Sequence, residues 1–297
     1  MPDEIFRITS AYDEHLYLEM PIALVEVQGL GMPPMTRRTS KAPFQHGETF
    51  QSFVLEPRIL QLILHLRGCS REDLWEQKQV LYRIINPLLG ECRFQVGLRD
   101  GTIYWLEQVF YDGQFSANVD TRGEPDALAV ATRMVAHDPV WYGAAEHSET
   151  FSADLLDELV LPAAFPIMFG LEETLEDSAI IVAGGTWDSY PTIQLYGPMS
   201  DPWIYSVATD EKLELAYDVA VGELVTIATT PGYKRVYNNL GADDLVKYLT
   251  DDSDLATFRL VPHPIATNGN NEIQVRAHSC TDEARVVLQW YDRYIGI

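Results

Sequence analysis

The chain has 297 residues, of which 46% are hydrophobic and 22% are charged, and its formal net charge is −23. This composition supplies enough apolar side chains for packed cores, excludes extensive disorder and favours two domains over one. No apolar stretch approaches the roughly 20 residues that a bilayer-spanning helix needs, and a surface this acidic repels phosphate backbones. We therefore expect no membrane partner and no nucleic-acid binding, sequence-specific binding included.

The chain start and the cysteines bear on the compartment. Residues 1–6 have neither the basic region nor the apolar core of a secretory signal, so we expect synthesis in a cytoplasm without export. Cys69, Cys92 and Cys280 are an odd number of thiols without close spacing. This pattern favours reduced, buried thiols over a disulfide framework or a zinc site.

Residues 29–47 interrupt the strand-like pattern that precedes them. The segment is rich in Gly and Pro, and it contains Arg37, Arg38, Lys41 and Phe44. We predict a long loop here, and loops of this length in a compact domain are often functional or disordered. Its positive charge in an otherwise acidic chain makes it a candidate contact segment.

One helix is predicted over about 70–86. Ser70 is a natural N-cap, and acids follow in the first turn, where the helix dipole favours them. Asn86-Pro87 ends the helix, because proline disfavours helical geometry in the residue before it. The predicted apolar face consists of Leu74, Leu81, Ile84, Ile85 and Leu88.

Strand-like runs fill the rest of the first half. The turns Asp100-Gly101 and Asp112-Gly113 separate them, and Asp-Gly between such runs is a strong hairpin signal. The predicted strands are Phe94–Leu98, Ile103–Tyr111 and Phe115–Val119.

A change of charge near residue 143 predicts a domain boundary. Residues 1–144 carry 13 basic and 19 acidic side chains, a net charge of −6, whereas residues 145–297 carry 8 and 25, a net charge of −17. We therefore predict an N-terminal domain over 1–143 and a C-terminal domain over 144–297.

The second half is predicted to be all-β. Short strand-like runs alternate with Gly-Gly, Pro-Gly and Asn-Gly turns, a pattern typical of a β-sandwich. The fold class is therefore mainly β with one helix in the N-terminal half, an α+β protein. The predicted strands are Ile180–Val182, Thr192–Tyr196, Leu213–Tyr217, Leu224–Ile227, Thr257–Val261, Ile273–Ala277 and Arg285–Tyr291.

Catalytic signatures are missing from the sequence. It contains no phosphate loop, dinucleotide fingerprint, His-Glu-x-x-His zinc motif or Gly-x-Ser-x-Gly elbow. His137-Asp138 is a conceivable acid/base pair, but adjacent residues of a strand point to opposite faces. Asp251, Asp252 and Asp254 lack the spacing of a calcium loop, which favours a solvated turn. We predict no enzyme, no catalytic or metal-binding residue and no cofactor.

Aromatic residues of the second half have two interpretations. Exposed rings can stack on sugars, as in a lectin-like module, whereas most aromatics of a small sandwich fill its core. We expect core burial for four of them, because they lie in or beside strand-like runs. These four are Trp187, Tyr196, Trp203 and Trp290.

Taken in order, these features resemble the distal tail proteins of long-tailed bacteriophages over nearly the whole chain. A basic loop, a strand-rich segment, a helix and an Asp-Gly hairpin precede a junction similar to the family's Asp-Pro-aromatic-aromatic-Tyr motif, with Asp138, Pro139, Trp141 and Tyr142 at the matching positions. The remaining similar motifs are Gly184-Gly185-Thr186, Tyr190-Pro191-Thr192-Ile193, Leu195-Tyr196-Gly197-Pro198 and the final run Val287–Ile297.

The resemblance implies a ring-forming N-terminal domain and a galectin-like C-terminal β-sandwich. It implies a homohexameric ring of the virion tail, assembled in the host cytoplasm, that joins the tail tube protein to the tail-associated and tip fibre proteins. It leaves open the passage of the genome through the ring lumen. In this setting Arg37, Arg38, Lys41 and Phe44 are candidates for contact with a neighbouring subunit.

Two other function classes stay open. A carbohydrate-binding adhesin of a phage or cell surface would use the β-sandwich and its aromatics, and its isolated C-terminal half would bind glycans. A cell-wall hydrolase needs a carboxylate pair or metal site in a cleft, and no spacing in this sequence supports one.

Overall fold

The computed structural model describes residues 4–113, 116–119, 127–152, 174–241 and 244–297, with the backbone alone for 116–119. The described chain divides into two compact units. Unit 1 extends to Ala144 and includes Tyr294–Ile297, and unit 2 is Ala145–Arg293. The final residues thus pack with unit 1, although the sequence predicts a single domain over 144–297. Their strand-like pattern continues without a break, so the sequence carries no sign of the change.

The described residues of unit 1 form β-sheets and one α-helix. Its central sheet has the order β11-β8-β10-β6-β3, and β7 joins β8 to β1, which pairs in turn with β2. Strand β11 begins in unit 1 and continues into unit 2. The strands are β1 Ile5–Thr9, β2 His15–Tyr17, β3 Ile22–Gln28, β4 Met35–Ser40, β5 Thr49–Leu55, β6 Arg58–Arg67, β7 Cys92–Gly97, β8 Ile103–Tyr111, β9 Ser116–Val119, β10 Ala127–Ala136 and β11 Trp141–Ser152.

The core of unit 1 centres on β6. Its alternate residues Leu60, Leu62, Leu64 and Leu66 are almost completely buried, as the two-residue period of a half-buried strand requires. Burying a leucine side chain stabilises a fold by roughly 1.5–3 kcal/mol. This strand therefore supplies a large part of the stability of unit 1.

Helix α1 spans Arg71–Ile84, within the predicted bounds. The Ser70 hydroxyl caps it by accepting a hydrogen bond from the Asp73 backbone NH at 3.2 Å. Leu81 and Ile84 are buried, whereas Leu88 lies beyond the helix end and is exposed. The helices of the described parts of the chain are too short and too polar to span a bilayer.

The predicted loop over 29–47 is wrong in its central part. Residues 35–40 form β4, which pairs antiparallel with β5 and makes a separate two-stranded sheet. Every side chain of β4 is exposed. A strand without a buried face has no apolar alternation, so its sequence lacks the signal by which strands are recognised.

Unit 2 is a β-sandwich. One of its sheets has the order β18-β17-β13-β20 and the other β12-β19-β14-β15, with β16 beside β14. Apolar residues of both sheets form one buried cluster that includes Ile193, Leu213, Val275 and Leu288. The strands are β12 Leu175–Val182, β13 Thr192–Tyr196, β14 Met199–Ser206, β15 Glu211–Glu214, β16 Asp218–Val219, β17 Leu224–Ala228, β18 Arg235–Asn238, β19 Asn270–His278 and β20 Arg285–Tyr294. The predicted mainly β fold with a single helix in the first half is confirmed for the described residues.

The predicted strand Thr257–Val261 is wrong. Its apolar residues Phe258, Leu260 and Val261 are buried, but its only ladder contact among the described residues is an isolated bridge from Leu260 to Ser189. The buried side chain of Asn271 takes the place of a partner strand: its amide exchanges hydrogen bonds with both backbone groups of Val261, at 2.9 and 3.0 Å. The apolar residues of this run correctly predict their own burial, but they do not predict how the backbone of the run is hydrogen bonded.

Candidate oligomer interface

The β4–β5 hairpin, residues 35–55, is called the arm below. Arg37 pairs with Phe53 across its two strands. Residues 41–48 connect the strands, and Gln45 braces this turn by accepting from the Ala42 backbone NH at 2.9 Å and donating to Thr49 Oγ1 at 2.8 Å. Strand β4 has six residues and β5 has seven, so at about 3.3 Å per residue the arm is roughly 20 Å long.

The arm presents apolar and basic groups to solvent. Phe44 in the turn is fully exposed, and three further apolar side chains are about half exposed. Arg37, Arg38 and Lys41 are exposed as well, and none of them makes an ion pair with another described residue. The structure therefore brings the four predicted contact residues together on one projecting hairpin. The half-exposed apolar residues are Phe50, Phe53 and Val54.

Arg58 lies at the base of the arm and is almost completely buried. Its guanidinium donates to Pro139 O at 2.7 Å, to Gly29 O at 2.6 Å, to Gly31 O and to Ile295 O at 2.7 Å. Burial lowers the pKa of Arg58 to about 10, and the carboxylate of Asp138 opposes this shift. Arg58 is therefore still charged at neutral pH, and its hydrogen bonds to four carbonyls are charge-assisted.

Trp141 and the end of the chain complete this site. The Trp141 ring is buried, with the Arg58 guanidinium 5.3 Å from its centre. Its Nε1 donates to Leu30 O at 3.1 Å, and the Ile297 backbone NH reaches the same oxygen at 3.2 Å. We call this assembly the root: residues 29–31, Arg58, residues 139–141 and residues 295–297. It holds residues 29–31, which precede the arm, and Arg58, which follows it, against two distant parts of unit 1.

Glycines make the close packing of the root possible. At Gly29, φ is +99° and a Cβ atom would lie 2.1 Å from Ile59 O. At Gly296, a Cβ atom would lie 2.9 Å from the Gly31 carbonyl carbon. No side chain fits at either distance, so the residue type is fixed by the approach of the two backbone segments.

The four predicted junction residues lie in and beside the root. Asp138 and Pro139 are in the bend before β11, and Trp141 and Tyr142 begin that strand. The Tyr142 hydroxyl donates to Asp138 Oδ2 at 2.7 Å, and its ring stacks on Trp105 at 5.9 Å. Sequence reasoning missed Arg58, because a lone arginine at the start of a strand carries no mark of burial.

In the structure, the residues considered above as catalytic or metal-binding candidates make packing, ion-pair and hydrogen-bond contacts with other residues. His137 lies in a bend, not in a strand as expected, and its ring contacts Phe110 edge-on at 5.5 Å. Asp252 faces Lys212 Nζ at 3.5 Å, and Asp254 accepts from the Lys212 backbone NH at 3.0 Å. Among the described residues, no group of three or more His, Cys, Asp or Glu is placed to hold a metal.

Of the four aromatic residues that are predicted to be buried in the core, one is buried. Trp290 belongs to the core of unit 2, whereas Trp187, Tyr196 and Trp203 are partly exposed. Alternation explains the difference for Trp203, because its strand neighbours Pro202 and Ile204 occupy the buried positions. Trp203 stacks on Tyr205 at 5.4 Å, and the Arg276 guanidinium lies 5.2 Å from its ring centre.

No protein-family model matches the sequence, and no curated protein sequence matches it. Solved structures are similar in three dimensions. One is the Dit protein of phage SPP1, presented as a paradigm of the hub adsorption apparatus in phages that infect Gram-positive hosts. The TM-score is 0.64 at 13% sequence identity, over 97% of this chain and 98% of that chain.

Chains of the phage P2 baseplate in its activated conformation are similar as well. The calcium form gives a TM-score of 0.53 at 9% identity, and the strontium form 0.51 at 8%, each over 96% of this chain and 97% of the other. At these identities the likeness establishes the fold. The resemblance predicted from the sequence is confirmed at that level: this chain has the fold of a phage distal tail or baseplate hub protein.

Proposed function

We propose that this protein is a structural, non-enzymatic subunit of a phage tail tip. It forms a homohexameric ring in the virion tail and connects the tail tube protein with the tail-associated and tip fibre proteins. Two independent lines support the proposal: the fold shared with phage hub and baseplate proteins, and an arm whose exposed side chains require a partner.

The arm is the observation that carries the proposal. An isolated two-stranded hairpin is marginally stable at best in water, and this one buries almost none of its side chains within the described chain. Its apolar residues gain burial when a neighbouring subunit covers them. A closed ring uses a heterologous interface in which unlike patches meet, and a projecting arm suits such an interface.

The division of charge supports unit 1 as the assembling unit. Residues 1–144 carry a net −6, whereas residues 145–297 carry −17. Copies of a less acidic unit repel one another less when they pack. We propose that residues 1–143 form the ring domain and that residues 144–297, apart from the final residues packed in the root, form an independent sandwich with a galectin-like fold.

Mass and imaging test the ring directly. Native mass spectrometry of the purified chain, together with negative-stain images, should show six-subunit rings whose population grows with concentration. Monomers at all accessible concentrations, with no ring in virions, would contradict the proposal.

Charge reversal tests the arm. Arg37→Glu, Arg38→Glu and Lys41→Glu in one chain should weaken ring assembly without unfolding the subunit, because all three side chains are exposed. Charges at an interface govern association rate and register, so the defect should be largest at low salt. The control R37K/R38K keeps the charge and should assemble normally. Normal assembly of the triple variant at every salt concentration would exclude an electrostatic role for the arm.

Partial exposure of Trp203 keeps the adhesin as a second candidate function. Its ring is already engaged by Tyr205 and Arg276, whereas sugar sites need a free aromatic face beside convergent polar groups. A glycan array with the full chain, run with and without calcium, should therefore show no specific binding. Saturable binding that is lost in Trp203→Ala would make the adhesin the better function.

A further inference from the structure

Unit 1 has an acidic groove on the side of β1 and β3. The groove has a volume of about 750 Å³, and its lining includes Glu4, Glu19 and Glu26 together with the apolar residues Ile5 and Val25. Ile5 is 52% and Val25 64% exposed. None of the three carboxylates makes an ion pair with another described residue. The groove thus combines open apolar surface with unneutralised negative charge, moderated by the single cation Arg99.

Strand β3 leaves this side of the sheet open. In the described part of the chain β3 pairs with β6 alone, and its register shifts between Leu24 and Glu26, at the position of Val25. Such a bulge interrupts regular pairing at an edge. The edge of β3 that is unpaired among the described strands and the exposed side chains of Val25 and Glu26 are both accessible to an occupant of the groove.

The arm has the complementary chemistry. It offers Arg37, Arg38 and Lys41 where the groove offers carboxylates, and it offers Phe44 where the groove offers apolar surface. Ligand-binding clefts commonly measure about 300–1,000 Å³, so a groove of this volume has room for the Phe44 side chain at the turn of the arm.

The arm does not occupy the groove of its own subunit. Phe44 is 102% exposed, and the side chains of β4 are all exposed. Arm and groove are therefore two separate, complementary patches on one chain. Two unlike patches of this kind are what a heterologous contact between identical subunits requires.

We propose that the acidic groove receives the arm of the neighbouring subunit, with Phe44 against Ile5 and Val25 and the basic residues of the arm beside Glu19 and Glu26. This inference rests on the proposed ring and adds the receiving surface to it. The occupant is a second copy of this chain.

Two charge-reversed variants test the pairing. Variant A carries Arg37→Glu and Arg38→Glu, so that both its arm and its groove are negative. Variant B carries Glu19→Lys and Glu26→Lys, so that both are positive. Each variant alone should lose rings in native mass spectrometry, with at least a tenfold rise in the concentration needed for assembly. An equimolar mixture should recover rings in which A and B alternate, three of each, because every arm then meets a groove of opposite charge.

A matched control separates the groove from the overall charge. Glu72→Lys and Glu76→Lys change the net charge as variant B does, but on the exposed side of α1, and this control should assemble as wild type. Loss of rings in the control would overturn the assignment to the groove.

Crosslinking tests the apolar part of the contact. In a Cys69→Ser background, which removes the exposed thiol, chains with Phe44→Cys are mixed with chains with Val25→Cys and treated with a short bismaleimide. A covalent dimer between the two chain types is the expected result. If wild type forms rings but the A and B mixture and the crosslink both fail, the groove serves another partner while the ring stands. If wild type forms no ring, the proposed function fails first.

Discussion

The arm and β6 are adjacent in sequence, but the side chains of the arm are exposed whereas alternate side chains of β6 are buried. Strand β5 ends at Leu55 with almost every side chain exposed, and β6 begins at Arg58 with alternate residues buried. Both are regular antiparallel strands. Backbone hydrogen bonding to a partner strand is thus enough to form a β-strand. A buried face is what stabilises that strand within a single subunit. The arm has the first property and lacks the second, because almost all of its side chains are exposed.

The root joins these two regions, and breaking it should have the largest effect. Arg58→Met removes the donors that satisfy four carbonyl oxygens. Leaving a buried acceptor without its hydrogen bond costs about 1–3 kcal/mol, and with four carbonyl oxygens affected we expect a loss of at least about 3 kcal/mol in the free energy of unfolding from urea titrations. Arg58→Lys should recover part of it, because an ammonium group keeps the charge but not the planar fork of donors. A loss below about 1 kcal/mol for Arg58→Met would show that the root does not stabilise unit 1.

A pair of truncations compares the two strands directly. Leu64 is buried in β6 between Leu24 and Val130, and Leu64→Ala should cost about 2–5 kcal/mol of unfolding free energy. Phe53→Ala in the arm should change it by no more than about 0.5 kcal/mol, as for other exposed sites, while lowering the fraction of subunits in rings. Equal destabilisation of the monomer by both changes would show that the arm is part of the core.

A smaller effect is expected at Glu223, a buried acid of unit 2. Burial by itself raises the pKa of its carboxyl, but hydrogen bonds from the Ala220 backbone NH, Asn238 and Tyr217 outweigh burial and leave the pKa below its usual value. A depressed pKa contributes stability that is present above the unfolded-state pKa of about 4.3 and is lost as the pH falls through the folded-state value.

Glu223→Gln isolates this contribution. The amide keeps the shape but loses an acceptor, so we expect a loss of about 1–3 kcal/mol in unfolding free energy near pH 7. The difference between wild type and variant should stay constant down to about pH 5 and shrink below it. A difference that is independent of pH down to pH 3 would mean that the ionised carboxylate contributes nothing.

The sequence predicted well where local signals and burial agree. The bounds of β8 and β13 match the structure to the residue, because clear turns or regular alternation mark their ends. The Ser70 cap similarly placed the start of α1. The predicted sandwich in the second half follows from the same signals repeated over many short strands.

Prediction failed where a residue's role depends on distant partners. Arg58 is surrounded by carbonyls from residues up to 237 positions away, and nothing near it in sequence indicates this. The apolar run at 257–261 owes its conformation to Asn271, which satisfies its backbone in place of a strand. The sequence predicts a loop over the first strand of the arm, because both faces of β4 are exposed to solvent.

The last residues of the root have a consequence for folding during synthesis. In order of synthesis, residues 29–31 precede Arg58, Pro139 comes 81 residues after Arg58, and Ile295 comes 237 residues after it. Until Ile295 has been synthesised, at most three of the four carbonyl partners of Arg58 exist. The root can be completed only after that, so a chain truncated before Ile295 lacks one of the four acceptors of the buried guanidinium.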